Sequence, residues 1–364
     1  MPFKKGQGKV VPKPGSKIGR PQREKTTAQI EQASALIQQP WRYLPHTLAM
    51  ELSGGKWLPY DYLVFLSHLI ATVVAQGGGR IIVEIPPRHG KSEFISKWVP
   101  TWFLGNWPDK RVVLCTYEAN FAASWGRIVR NNLVTHGEPL GVSLANDSLA
   151  AAYWKTSQDG GMITAGVGGP ITGKGGDLLL IDDPHKNWKE AMSITTCKGI
   201  QDWYDSTFYT RCEPGATMII LHTRWTENDL IGYCLTEHPE ENWIVVRFPA
   251  IAEEADILGR MVGQAFCPSR YDETALAKIK KVLGTQKWAG LYQQRPAALE
   301  GDVWKRKDWK YYKITPKCSF IIQSWDTGFK KNDNLRTSYS VCQTWGVFPN
   351  GYLFTSWPLV FRPS

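Results

Sequence analysis

The stretch Arg80-Ile81-Ile82-Val83-Glu84-Ile85-Pro86-Pro87-Arg88-His89-Gly90-Lys91-Ser92 decides the fold. Its first six residues form a short, largely apolar run between glycines and prolines, the pattern of a buried strand. From Ser92 to Trp102 the spacing turns helical. A strand, a tight loop and Gly-Lys-Ser opening a helix cradle a triphosphate, because loop amides and the helix N-terminus point at the phosphates. The expected ATP-binding residues are therefore His89, Gly90, Lys91 and Ser92. Lys91 would reach the β/γ-phosphates and the Ser92 hydroxyl would bind Mg²⁺. The usual first glycine of such a loop would fall at position 85, which is Ile85. Gly-Lys-Ser alone arises by chance in ordinary chains, so its weight comes from lying between a strand and a helix.

Hydrolysis of a nucleotide needs one carboxylate to hold the metal and another to polarise water, both at the end of a neighbouring buried strand. Asp177-Leu178-Leu179-Leu180-Ile181 followed by Asp182-Asp183 supplies them. Asp182 would serve the metal and Asp183 would orient water, with a shorter reach than the glutamate commoner in that role. A glycine-rich connection, residues 166–176, precedes this strand. Further strands are expected at 111–116, 217–222 and 243–248, and helices at 62–75 (capped by Asp61), 92–102 and 119–134. Alternating strands and helices imply a mostly parallel sheet covered on both faces. The strand at 217–222 ends in His222-Thr223-Arg224-Trp225. Thr223 and Arg224 there could sense the γ-phosphate and move an adjacent element.

The chain has 364 residues and a formal charge of +10, with 43% apolar and 12% aromatic residues. That excludes a disordered, collagenous or small disulfide-stapled chain. No apolar run is long enough to span a membrane, and the N-terminal lysines are followed by no signal-like segment. The seven cysteines form no CxxC pair, against zinc and a disulfide framework and in favour of a reducing cytosol. Charge is uneven: residues 1–25 hold eight basic residues against Glu24, and 26–273 hold 20 against 27 acids. Residues 274–313 hold ten against three, interleaved with Trp288, Tyr292, Trp304 and Trp309. Basic ends on an acidic body suggest a polyanion partner, with Lys280, Lys305 and Arg306 as candidate DNA contacts. From Cys318 the pattern is strand, loop, strand, turn, strand. The expected layout is a basic disordered tail and leading helix (1–40), a P-loop ATPase domain (41–265), a basic aromatic linker (266–313) and a β-rich segment (314–364).

Taken together, VEIPPRHGKSEFIS, YEANFAASWGRIVRN, GVGGPITGKGGDLLLIDDPHKN, WYDSTFYTRCEPGATMIILHTRWTENDLIG, QQRPAALEG and SWDTGFK resemble the motifs of the tailed-phage terminase large subunit. The resemblance covers about residues 40–361. It implies a P-loop NTPase fold followed by a ribonuclease H-like nuclease domain, and an ATP-driven motor that moves double-stranded DNA. By it, Arg88 would contact the phosphates and Thr223 would fall in the coupling motif. A trans-acting arginine from the next subunit would be Arg127 or Arg130. Asp326 would match the nuclease's first metal-binding aspartate, taking Mg²⁺ or Mn²⁺. The implied partners are the small terminase subunit, the procapsid portal and further copies in a ring, with no membrane. The implied location is the host cytoplasm, docked transiently on the procapsid and absent from the mature virion. Asp333 is the only acid after Asp326, so the nuclease domain is expected to be incomplete and inactive. The competing readings are a P-loop helicase, a small-molecule kinase and an inactive prophage remnant.

Overall fold

The computed structural model describes residues 39–296 except 172 and 254–255, and residues 317–326, 340–348, 351–354 and 359–361. The basic tail, the expected leading helix up to 38, and Lys305 and Arg306 lie outside the described residues. The chain divides into two units, Met1–Ala298 and Leu299–Ser364.

The first unit is built on eight strands. They are β1 (Gly79–Glu84), β2 (Arg111–Thr116), β3 (Leu144–Leu149), β4 (Tyr153–Thr156), β5 (Gly161–Gly166), β6 (Gly176–Asp182), β7 (Cys212–His222) and β8 (Ile244–Arg247). Their order across the sheet is β3-β4-β5-β2-β6-β7-β1-β8. All pairings from β5 to β8 are parallel, and β3 and β4 add an antiparallel edge. The five strands read from the sequence are present within a few residues. β3, β4 and β5 add to that reading; they are short, and β5 is bracketed by glycines.

Alternation along the central strands fills two cores. Ile81, Val83, Val112, Leu114, Leu178, Leu180, Ile219 and Leu221 face one layer. It includes α1 (Asp61–Ala75), α2 (Val99–Asn106) and α3 (Ala119–Leu140). Ile82, Val113, Cys115, Leu179, Ile181, Met218 and Ile220 face the other, with α4 (Ile194–Trp203) and α5 (Leu230–Glu237). Asp61 lies inside the first turn of α1 rather than capping it, for Tyr60 is the cap residue. α3 runs six residues beyond the expected end before Gly141, at φ 68°, closes it.

The expected linker, 266–313, contains residues that pack within the first unit. Phe266 and Cys267 belong to the main core, and Ala250, Ala265, Leu276 and Trp288 form a satellite core. α6 (Glu273–Leu291), capped by Asp272, supplies two of those residues. It breaks at Gly284 (φ 73°, ψ 172°), then resumes. Trp288 and Leu291 bury in that second part, and their packing outweighs the cost of the break.

In the second unit, β9 (Phe320–Asp326) pairs antiparallel with β10 (Ser340–Phe348). The opposite pairings of β10 are to β11 (Gly351–Phe354) and β12 (Leu359–Phe361), also antiparallel. The expected last strand is thus two short ones.

Candidate active site

β1 delivers the chain into a loop that turns twice through the left-handed region, at Arg88 (φ 65°) and Gly90 (φ 73°). Phe94 N donates to Gly90 O at 3.1 Å, and a π-helical turn, Glu93–Trp98, follows and leads into α2. Arg88 is exposed. His89 is fully buried, with its ring 5.1 Å from that of Phe266 and 5.5 Å from that of Tyr271. Its Nδ1 lies 2.8 Å from Pro87 O, and Tyr62 Oη donates to His89 O at 2.7 Å. Burial pulls the imidazole down to about 4. The His89 side chain, expected on ATP, instead braces the loop from beneath; it is a neutral ring filling an aromatic pocket.

β7 lies between β1 and β6, so three strand ends converge. Lys91 Nζ forms an ion pair with Asp183 Oδ2 and lies 3.9 Å from Asp182 Oδ1. Ser92 Oγ donates to Asp182 Oδ1 at 3.1 Å, and Ser96 Oγ to Asp182 Oδ2 at 2.7 Å. Ser96 is a site residue that the sequence reading misses, although four residues past Ser92 it shares that residue's helical face. Asp182 is wholly buried and Asp183 is 31% exposed by side chain. Burial pushes the Asp182 carboxyl up. Asp183 is held well below the usual carboxylate range: burial opposes this, but the Lys91 ammonium and the His222 hydrogen bond outweigh it.

Asp183 adopts φ 48°, fixed by its amide donating to Leu221 O at 2.9 Å. That twist turns its carboxylate toward β7, where Oδ1 accepts from Thr223 N at 3.2 Å and lies 3.4 Å from His222 Nδ1. Thr223 Oγ1 donates to Ile85 O at 3.1 Å. One residue thus touches the acid and the start of the loop after β1. His185 stacks on His222 with centroids 5.4 Å apart, and burial lowers it to about 3. A cavity of about 410 Å³ opens over this cluster, bounded by Arg88, Gly90, Lys91, Ser92, Asp183, His185 and Thr223. That falls within the range of small-ligand sites.

Arg224, expected beside Thr223 as a coupling residue, commits its side chain elsewhere. Its Nη1 donates to Glu84 Oε1 at 2.7 Å and its Nε to Asp229 Oδ2 at 2.9 Å, all three residues being buried. Arg247 also pairs with Glu84. Arg127 is exposed on α3, and Arg130 beside it donates to Asn131 Oδ1. Neither lines the cavity. Lys280 is exposed on α6, its Nζ 5.8 Å over the Trp288 ring. Asp326 ends β9 opposite Val341.

No protein-family model and no curated protein matches the sequence. Solved structures of phage large terminases are similar to it in fold. The large terminase of a thermophilic bacteriophage, in complex with ADP, is 10% identical. The match covers 79% of this chain and 64% of that one, with a TM-score of 0.38. The large terminase of bacteriophage HK97 is 12% identical over 81% of this chain and 62% of that one, with a TM-score of 0.41. The ATPase domain of the Thermus phage P74-26 large terminase is 11% identical over 68% of this chain and 97% of that one, with a TM-score of 0.41. This chain therefore spans less than two thirds of the ADP-bound terminase and of the HK97 protein.

Proposed function

We propose that the chain is the large subunit of a tailed-phage terminase, an ATPase that drives double-stranded DNA into a procapsid. The observation that carries the ATPase is the placement of Lys91 against Asp182 and Asp183, with Ser92 bonded to Asp182, where β1, β6 and β7 end together. Arg88 and the loop amides bind phosphate oxygens, and Lys91 leaves the acids to meet the β/γ-phosphates. Ser92 and Asp182 offer hard oxygen donors side by side, which suits Mg²⁺. That ion supplies charge neutralisation on the phosphates when bound. Asp183, ionised and aimed by the Thr223 amide, orients the attacking water. Thr223, bonded to Ile85, carries the change at Asp183 to the loop.

Motor function rests on the ordered motifs and the basic segment that follows. An arginine from a neighbouring subunit, Arg127 or Arg130, completes the site in a ring docked on the portal, with the small subunit delivering DNA. Among the described residues no helix is long and apolar enough to cross a membrane; the reading places the protein in the host cytoplasm during packaging. Turnover of ATP tests the site. Lys91→Ala should cost about 10³-fold and Asp183→Asn about 10²-fold; variants as active as the parent would refute the assignment. DNA binding is the second test. Six phosphate contacts would make affinity fall about 10³-fold between 50 and 200 mM salt. Charge reversal at Lys280, Lys305 and Arg306 should weaken binding and flatten that slope, and an unchanged slope would remove the 274–313 segment from the interface.

A further inference from the structure

Two successive amides leave the end of β7 in opposite service. Thr223 N donates to Asp183 Oδ1 at 3.2 Å, and Arg224 N donates to Gln294 Oε1 at 3.1 Å. Gln294 has no exposed surface and holds φ 55°, a conformation that few residues other than glycine adopt. Its Nε2 donates to Leu291 O at 2.7 Å, and Leu291 is part of the wall of the nucleotide cavity. The side chain therefore spans from the cavity wall to the residue next to Thr223. The contact is close over its whole length. A Cβ on Gly290 would lie 3.1 Å from Arg224 O and 3.2 Å from Trp225 O, so α6 ends with its backbone against the β7 turn.

We infer that Gln294 is a positioning residue of the ATPase site: it pins the Arg224 amide, and through it the Thr223 amide that aims Asp183, to the last turn of α6. This rests on the ATPase reading above. A buried carboxamide with both ends bonded is costly to remove and fixes one geometry. Rotation of the Arg224 peptide would swing the Thr223 amide away from Asp183 without touching Lys91, Ser92 or the phosphates. Conversely, a displacement of the segment at 290–296 reaches the water-orienting acid through two hydrogen bonds.

Gln293 provides the internal control. It is also buried and its amide is used still more fully, accepting from Ile251 N and donating to Ile251 O, both at 3.0 Å, and donating to Glu253 Oε1 at 2.9 Å. Those bonds hold the 250s segment and reach nothing in the nucleotide site.

The experiment compares the full-length parent with Gln294→Met, Gln294→Glu and Gln293→Met. Gln294→Met keeps the volume and loses both bonds; its kcat for ATP should fall about tenfold with KM unchanged. Gln294→Glu keeps an acceptor for Arg224 N and should recover part of that loss. Gln293→Met should lower the unfolding midpoint at least as much as Gln294→Met does and leave kcat within about twofold. Hydrogen exchange of the 221–226 segment supplies a readout independent of turnover: it should quicken in Gln294→Met and not in Gln293→Met. Equal kcat losses in the two Met variants, or no loss in Gln294→Met, would overturn the inference. If the parent hydrolyses no ATP, the functional reading fails, while unchanged exchange in Gln294→Met would separately remove the pin.

Discussion

β6 and β9 are both apolar strands that end on an aspartate, Asp182 in one and Asp326 in the other. Leu178 to Ile181 in β6 are wholly buried between parallel neighbours, whereas Phe320, Ile321 and Trp325 in β9 are 57%, 65% and 55% exposed. Asp182 receives hydroxyls from Ser92 and Ser96 and faces Lys91, all contributed by the chain after β1. Asp183 draws on β7 as well. Among the described residues of its unit, Asp326 is the only acid. A strand-end carboxylate is common. What makes one reactive is convergence, and convergence requires a sheet whose order brings distant stretches of sequence to one edge.

That comparison is sharpened by substitutions on either side of it. The largest effect is expected where burial is deepest. Arg224→Met would leave Asp229 without its guanidinium and Glu84 with Arg247 alone, at a cost of about 3–5 kcal/mol. Urea denaturation reads this, and adding Asp229→Asn should recover part of it. A midpoint unmoved by Arg224→Met would mean that the network is decorative.

The acid side of the stability curve comes next. His89 titrates at about 4 in the folded chain against 6.5 for an unperturbed histidine. Between those values the unfolded chain binds a proton that the folded one refuses. Stability is therefore full above about pH 6.5 and is lost as pH falls toward 4, by about 3 kcal/mol from this residue. His89→Gln should lose correspondingly less over the same window. Parallel curves for parent and variant would show that the ring under the phosphate loop is not held neutral by burial.

The strand, loop and helix around Gly90-Lys91-Ser92, the acid pair at the end of β6 and five parallel strands are legible in the sequence because each is local: a run of apolar residues, then a polar signature in contiguous sequence. What is not legible depends on contacts far apart in the chain. β5 carries no strand reading in the sequence and becomes a strand because β2 lies beside it. His89 reads as a ligand because it stands inside the loop motif; Phe266 and Tyr271, nearly two hundred residues later, turn its ring inward. Arg224 reads as a sensor beside Thr223 until Glu84 and Asp229 claim its guanidinium. Gln293 and Gln294 open the QQRPAALEG motif, which gives no role to either side chain; only the docking of α6 does. The packing of residues 266–291 is hidden for the same reason: a basic, aromatic texture suggests a linker, while Leu276 and Trp288 find partners in Ala250 and Ala265.

The smallest effect is expected at Asp326, and it tests the other half of the comparison. A two-metal nuclease clamps its ions between several carboxylates brought from separate elements. β10, β11 and β12 carry no Asp or Glu among their described residues, and Asp333 is the only other acid after Asp326 in the sequence. One or two acids can hold a cation only weakly, since its remaining positions must be filled by water. The variant that tests this is Asp326→Ala. Incubated with plasmid DNA and Mn²⁺, parent and variant should be equally inert, while ATP turnover remains at the parental rate in both. Cleavage by the parent that vanishes in Asp326→Ala would show that β9 does end in a working metal site. The contrast with β6 would then be one of exposure alone, because few carboxylates would have proved sufficient.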